Sequence, residues 1–291
     1  MGFLSSHSPI RFVDSHCHLD ADEFQGDVNA MRERARQQGV DLCLIPSVDK
    51  NNFQVVCDLA HRFHDLYALG IHPLYTKDAV AEDLGLLREQ LARALAGAHD
   101  LTWQAPLLVA VGEIGLDGAV KSLDWQRQVY FFEEQLKVAV DFDLPVVLHV
   151  RSAVDFVLKG LRKFKVKGGI AHAFNGSLQQ AEQFIAMGFK LGMGGALTYP
   201  RALHLRRLAQ ELSAESIVLE TDSPDIVPVW RYVNAELRDR GHSQGRNEPA
   251  ELPRIAQEIA DLRGVPLQRL MQESTNNFLN VFNLEISNSI V

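Results

Sequence analysis

The chain has 291 residues, the size of one large barrel domain, and a formal net charge of −8 from 37 acidic and 29 basic side chains. That balance argues against a broad nucleic-acid-coating surface, which needs clustered Lys and Arg, but leaves room for a local site where bound metal supplies positive charge. With 46% hydrophobic and 23% charged residues the composition is that of a soluble globular protein, and no apolar run approaches the ~18 residues of a membrane span.

Residues 1–9 lack the basic start and long apolar stretch of a signal peptide. Cys17, Cys43 and Cys57 are too few and too scattered for a disulfide framework, so a cytoplasmic protein without membrane association is expected. Strands are predicted at Ile10–His16, Val40–Val48, Leu66–Ile71, Leu107–Gly112, Pro145–Val150, Gly169–Ala173, Phe189–Gly192 and Ile217–Thr221. Most are continuous apolar runs, the pattern of strands buried on both faces. Helical patterns separate them at Val28–Gln38, Phe53–Phe63, Leu84–Ala96, Trp125–Val140, Val154–Phe164 and Leu178–Met187. After a polar stretch, Asp225–Arg246, two more helices are expected near Ala250–Leu262 and Leu267–Phe282, with Asn247 as cap and Pro249 early in the first. No composition break or linker interrupts the chain, so residues 1–291 read as one domain. Alternating strands and helices permit a closed barrel or an open doubly wound sheet.

The chemistry-bearing residues favour the barrel. In Asp14-Ser15-His16-Cys17-His18, residues two apart on extended chain point to one side, so His16 and His18 can face one ion while Cys17 packs inward. Further apolar runs each reach such a residue at the C-terminal end: Glu113, His149, His172 and Asp222. In a (β/α)₈ barrel of the TIM type those ends share one face and converge on one pocket. Imidazoles with two carboxylates can hold two divalent ions, Glu113 bridging, and ions ~3.5–4 Å apart would activate a water for hydrolysis. Asp222 could both ligate and take the water's proton. The catalytic candidates are therefore Asp222 and Glu113.

Weaker candidates surround them. His72 closes a strand and is expected to face the pocket as a substrate or supporting contact; Glu220 is expected to be a buried support. Arg151 could bind a phosphate or form a surface ion pair, and Asn175 could make a polar contact. Gly192-Met193-Gly194-Gly195 lacks the P-loop lysine and the dinucleotide spacing, so no organic cofactor is expected; its glycines are read as letting backbone approach a ligand. His61, His64, His99, His204 and His242 read as surface residues.

Together these motifs resemble the TatD family of metal-dependent deoxyribonucleases, within the amidohydrolase-like barrels. The resemblance runs from Asp14-Ser15-His16-Cys17-His18-Leu19-Asp20 through Gly70-Ile71-His72-Pro73, Gly112-Glu113-Ile114-Gly115-Leu116-Asp117 and Leu144-Pro145-Val146-Val147-Leu148-His149. It continues through Ala171-His172-Ala173-Phe174-Asn175-Gly176-Ser177 and Leu219-Glu220-Thr221-Asp222-Ser223-Pro224 to Arg246-Asn247-Glu248-Pro249. It implies that His16, His18 and Asp222 hold one metal, that His149 and His172 hold another, and that Glu113 bridges them. It implies phosphodiester hydrolysis that trims DNA from the 3′ end with Mg²⁺ or Mn²⁺, although such a shell also accepts Zn²⁺. One departure bears on substrate: many members follow Gly-Leu-Asp with an aromatic residue, whereas Gly118-Ala119-Val120 follows here.

The expected function is a metal-dependent hydrolase acting on DNA ends, with Arg231, Arg238, Arg240 and Arg246 as further phosphate contacts unless that stretch is only a solvated loop of mixed charge. The alternative is a hydrolase of a small phosphoester, ester or amide using the same ions. A metal-stabilised scaffold is the non-enzymatic reading, and ligands drawn from so many strand ends argue against it.

Overall fold

A computed structural model describes residues 11–97, 107–241 and 245–284. Eight strands pair in parallel in chain order: β1 Phe12–Asp14, β2 Val40–Pro46, β3 Leu66–Leu69, β4 Leu108–Asp117, β5 Val146–Arg151, β6 Gly169–Ala171, β7 Phe189–Met193 and β8 Ile217–Leu219. The last strand returns to the first: Ser15 N–H donates to Leu219 O at 2.9 Å, and Cys17 pairs with Ser223 just beyond. The barrel expected from the sequence is thus formed. β2 and β4 are buried along their whole length, because one face fills the barrel and the other meets the helices.

Helices alternate with the strands: α1 Val28–Gln37, α2 Phe53–Phe63, α3 Ala81–Ala96, α4 Trp125–Asp141, α5 Val154–Phe164, α6 Leu178–Ala186, α7 Leu203–Glu211, the short α8 Ala235–Asp239, α9 Leu252–Arg263 and α10 Leu267–Val281. α7 was not among the expected helices. Local chemistry sets their ends. The Asp124 carboxylate accepts from the N–H groups of Gln126 and Arg127 to start α4, Ser177 and Gln180 form a capping box on α6, and Gly264 ends α9 in the left-handed region.

Two expectations about local structure are corrected. Asn247 caps no helix: its amide donates to Thr221 O at 2.8 Å and to Ile226 O at 3.3 Å, fastening the loop after β8. Pro249 does sit at the first position of a 3₁₀ turn, Pro249–Glu251, that leads into α9. β4 does not stop at Gly112 but continues five residues, so Glu113 lies within the strand rather than at its end. Across the β4–β5 ladder Val111 pairs with Val146 and Ile114 with Leu148, which leaves one extra residue on β4. Such a bulge re-aims a side chain, here Glu113, toward the barrel mouth.

At the N-terminal end of the barrel Arg32 and Asp65 form a fully buried ion pair, both Arg–carboxylate contacts being 2.7 Å. Two further guanidinium N–H groups reach Val40 O and Asp41 O at 2.8 and 2.9 Å, tying α1 to β2 and β3.

Candidate metal centre

The C-terminal ends of the strands surround a cleft of about 1380 Å³. At its floor lies Glu113, whose backbone N–H donates to Ser47 O at 2.9 Å. Its two carboxylate oxygens face different imidazoles. Oε2 is 3.2 Å from His16 Nε2 and 3.5 Å from His18 Nε2. Oε1 is 2.8 Å from His172 Nε2, 3.1 Å from His149 Nδ1 and 3.4 Å from His72 Nε2. Asp222 Oδ1 stands 3.5 Å from His16 Nε2, 3.7 Å from His18 Nε2 and 4.0 Å from His172 Nδ1. All six residues expected to bind metal are therefore brought together.

β1 ends at Asp14 and the chain bends at Ser15 and His16 before the isolated bridge at Cys17, yet His16 and His18 converge, their Nε2 atoms 3.2 Å apart. Cys17 is fully buried against Leu44. Asp222 occupies the left-handed region at φ 53°, which a short polar side chain tolerates better than most, and its N–H donates to His16 O at 2.9 Å. That bond locks the β8 loop to the His-x-His segment.

Hydrogen-bond geometry assigns the ring protons. His149 stands between two carboxylates that only accept, Nε2 3.1 Å from Asp117 Oδ2 and Nδ1 3.1 Å from Glu113 Oε1; with Nδ1 given to an ion, the remaining proton would stay on Nε2 toward Asp117. His72 differs. Its Nδ1 accepts from Leu74 N–H at 3.2 Å, so its proton sits on Nε2, aimed at Glu113 Oε1. A neutral His72 is a donor to Glu113, not a further lone pair for an ion.

The electrostatics are those of a site built around a cation. Burial pushes the Glu113 carboxyl up, but the charges of His172, His72 and His16 outweigh it and hold the group well below the carboxylate range. Burial lowers His172, but Glu113 and Asp222 raise it to about 10. His16 is driven well below its ordinary value, by burial first and then by His172. Burial raises Asp222 and pushes Glu220 up to about 8. The donor chemistry fits divalent ions: overlapping groups of His16, His172 and Asp222, of His16, His18 and Glu113, and of His72, Glu113 and His149 each gather ligand atoms within 4.8 Å. Buried Nδ1 atoms of His16, His18 and His172 have no hydrogen-bond partner, so nothing in the protein competes strongly to reorient those rings.

The supporting residues divide into those expected and those missed. Glu220 is buried, as expected, accepting from Ala173 N–H at 2.5 Å. Gly192 makes room for it: a Cβ there would lie 2.0 Å from Glu220 Oε2. The Gly192–Gly195 glycines make room for Glu220 and, at Gly195, for the carbonyl of Ile226, while Gly192 and Gly194 also line the cleft. Asp117 and Asp14 had been given no role. Asp14 is buried and accepts from Thr221 Oγ1 at 2.6 Å, Thr221 N–H and His16 N–H, bracing β1 against the Asp222 loop; burial raises it to about 7. A carboxylate in the strand next to a His-x-His was the available signal for Asp14, and the Glu-x-x-x-Asp spacing along one strand for Asp117.

Arg151 and Asn175 both line the cleft from exposed positions, Arg151 with NH1 3.7 Å from Asp117 Oδ2. The arginines after residue 230 do not line it. Arg231 pairs with Glu251, Arg240 with Glu236, and Arg246 with Asp27 and Glu248, so the mixed-charge loop, not a basic patch, is what the structure contains. His61 bonds its own helix through Cys57 O, His64 ends α2, and exposed His204 reaches Gly176 O at the cleft edge; His99 and His242 lie outside the described residues.

Residues 13–283 match the model of the TatD related DNase family. The chain belongs to this family. It is 37% identical to the Escherichia coli K12 metal-dependent hydrolase YjjV over 94% of this chain and 98% of that protein. It is 32% identical to the 3′-5′ ssDNA/RNA exonuclease TatD of Erwinia tasmaniensis over 93% and 99% of the two chains. The crystal structure of the Escherichia coli YjjV superposes with a TM-score of 0.83 over 95% of this chain and 99% of that one, at 36% identity. The protein is a metal-dependent hydrolase of the TatD family, and no helix among its described residues is long and apolar enough to cross a membrane.

Proposed function

We propose that the protein is a cytoplasmic nuclease that trims free 3′ ends of single-stranded DNA, using two divalent ions held by His16, His18 and Asp222 on one side and His149 and His172 on the other. The observation that carries this reading is the division of Glu113: each carboxylate oxygen faces its own imidazole set, the geometry of a bridge. The name of the Erwinia tasmaniensis relative supports the substrate class. Bound there, the ions would be Mg²⁺, Mn²⁺ or Zn²⁺ and would supply Lewis-acid polarisation of the ester and acidify water.

The chain's own groups do the rest. Asp117 holds the His149 ring in the tautomer that turns Nδ1 inward. His72 donates toward Glu113 Oε1 and keeps that oxygen directed into the cluster. Asp222, raised by burial, takes the proton of the attacking water at Oδ1. Arg151 and Asn175 orient the phosphodiester from the rim. With end-labelled single-stranded DNA and Mn²⁺ or Mg²⁺, progressive shortening from the 3′ end is expected. A net charge of −8 and a cleft with Arg151 as its one Lys or Arg among the described residues favour a second reading, hydrolysis of a small phosphoester, ester or amide. Turnover of such a compound with no shortening of DNA or RNA would replace the first reading by the second.

A further inference from the structure

The cleft is lined by two unlike arcs. Across β8, β1 and β2 the loops present Asp225, Asp20, Asp22, Glu23 and Asp49. Neutral amides hold three of these carboxylates: Asn52 on Asp20, Gln25 on Asp22 and Asn51 on Asp49. No Lys or Arg side chain among the described residues pairs with any of the five. The fields of four of them meet at the Tyr75 hydroxyl, which burial raises first and Asp49, Asp20, Asp22 and Asp225 raise further. The opposite arc, β5 to β7, carries Arg151 and the exposed aromatic Phe156. Phe156 is 55% exposed although it stands edge-on to Trp125, with centroids 5.0 Å apart. Asp155 is the one carboxylate on this arc, held by Gln180 as three of the five opposite are held by amides, and Arg151 stands on the same arc. An aromatic ring braced from behind and left open in front is a platform for a nucleobase.

We infer that a polynucleotide strand enters only across the β5–β7 arc, its base stacked on Phe156 and its phosphate beside Arg151, and that the acidic arc bars the chain from continuing past the metal centre. This rests on the nuclease reading above and explains a preference for ends: a phosphate backbone running on across the cleft would meet five unneutralised carboxylates. Within a Debye length of roughly 10 Å at moderate salt, that repulsion is only partly screened.

Three substrates test it: a circular single-stranded DNA without ends, an end-labelled linear oligonucleotide, and bis(p-nitrophenyl) phosphate. The variant Asp22→Asn/Glu23→Gln/Asp225→Asn neutralises exposed rim groups outside the metal centre. It is expected to open the circle at least about tenfold faster than the parent, while bis(p-nitrophenyl) phosphate turnover stays within about twofold and reports an intact fold. Phe156→Ala is expected to raise KM for the oligonucleotide roughly tenfold, the scale of one lost base stack, with kcat for the oligonucleotide changed far less. Equal circle opening by parent and triple variant would overturn the acidic barrier, and an unchanged KM would overturn the stacking platform. A parent that hydrolyses the small diester but shortens no linear strand overturns the nuclease reading itself, and the inference falls with it.

Discussion

The two ends of the barrel bury charge in opposite ways. At the N-terminal end Arg32 meets Asp65 in a bidentate pair, and carbonyls of residues 40 and 41 take two further donors. One positive and one negative group are matched, and four of the five guanidinium N–H groups find acceptors inside the protein. At the C-terminal end Glu113, Asp222 and Glu220 are crowded together with five imidazoles, and ring nitrogens of His16, His18 and His172 lack partners. A buried group satisfied by the fold serves the fold; a buried group left unsatisfied is waiting for something the chain does not contain. Residues that look equally polar and equally buried should therefore respond differently to mutation.

The largest effect should come from Glu113→Ala. Removing the carboxylate shared by both imidazole sets is expected to lower metal content and hydrolysis by more than ~100-fold, since even residues behind the ligands are worth ~10–100-fold. Its far-ultraviolet circular dichroism should match the parent; normal hydrolysis would remove Glu113 from the bridge. Arg32→Ala should do the reverse, leaving Asp65 buried without its partner and costing about 3–5 kcal/mol in chemical denaturation while metal content of the folded protein is retained. Loss of metal at unchanged stability would erase the contrast between the two ends.

Asp117→Ala should fall between. Its loss frees the His149 ring to turn, so metal affinity should drop ~10–100-fold with little change in thermal stability. Calorimetric titration checks this, and unchanged affinity would show that His149 needs no such brace. The smallest effect is a proton. Metal-free His172 is raised to about 10 and so carries a proton at pH 7, which an ion must displace. Apparent affinity should then rise as pH rises toward 10 and weaken as pH falls, about one proton being released per molecule. Titration in buffers of different ionisation enthalpy measures that number, and zero release would sink the assignment.

Much of this was legible in the sequence because barrel strands are short, apolar and end in polar residues. Phe53–Phe63 and Val154–Phe164 appear as helices with the ends that their apolar spacing predicted. The six residues at the metal centre could be found because each interrupts or follows an apolar run, although Glu113 stands within its strand rather than at the end. α7 was harder, its Leu203, Leu205 and Leu208 lying among basic and polar neighbours with only Leu208 of the three fully buried. Asp117 and Asn247 were invisible as supports because their partners, His149 and Thr221, lie 32 and 26 residues away.

The sequence by itself determined the alternation of strands and helices and the chemical character of each strand end, since both follow from local periodicity and residue type. Tertiary structure alone decided three things: that a bulge in β4 turns Glu113 into the mouth, that Asp117 and Glu113 hold the His149 ring at its two nitrogens while Leu74 sets the tautomer of His72, and that the cleft is acidic on one arc and aromatic on the other. Each depends on which groups from distant segments come within a few ångströms, where hydrogen bonds and unscreened charge act, and no linear pattern records that distance.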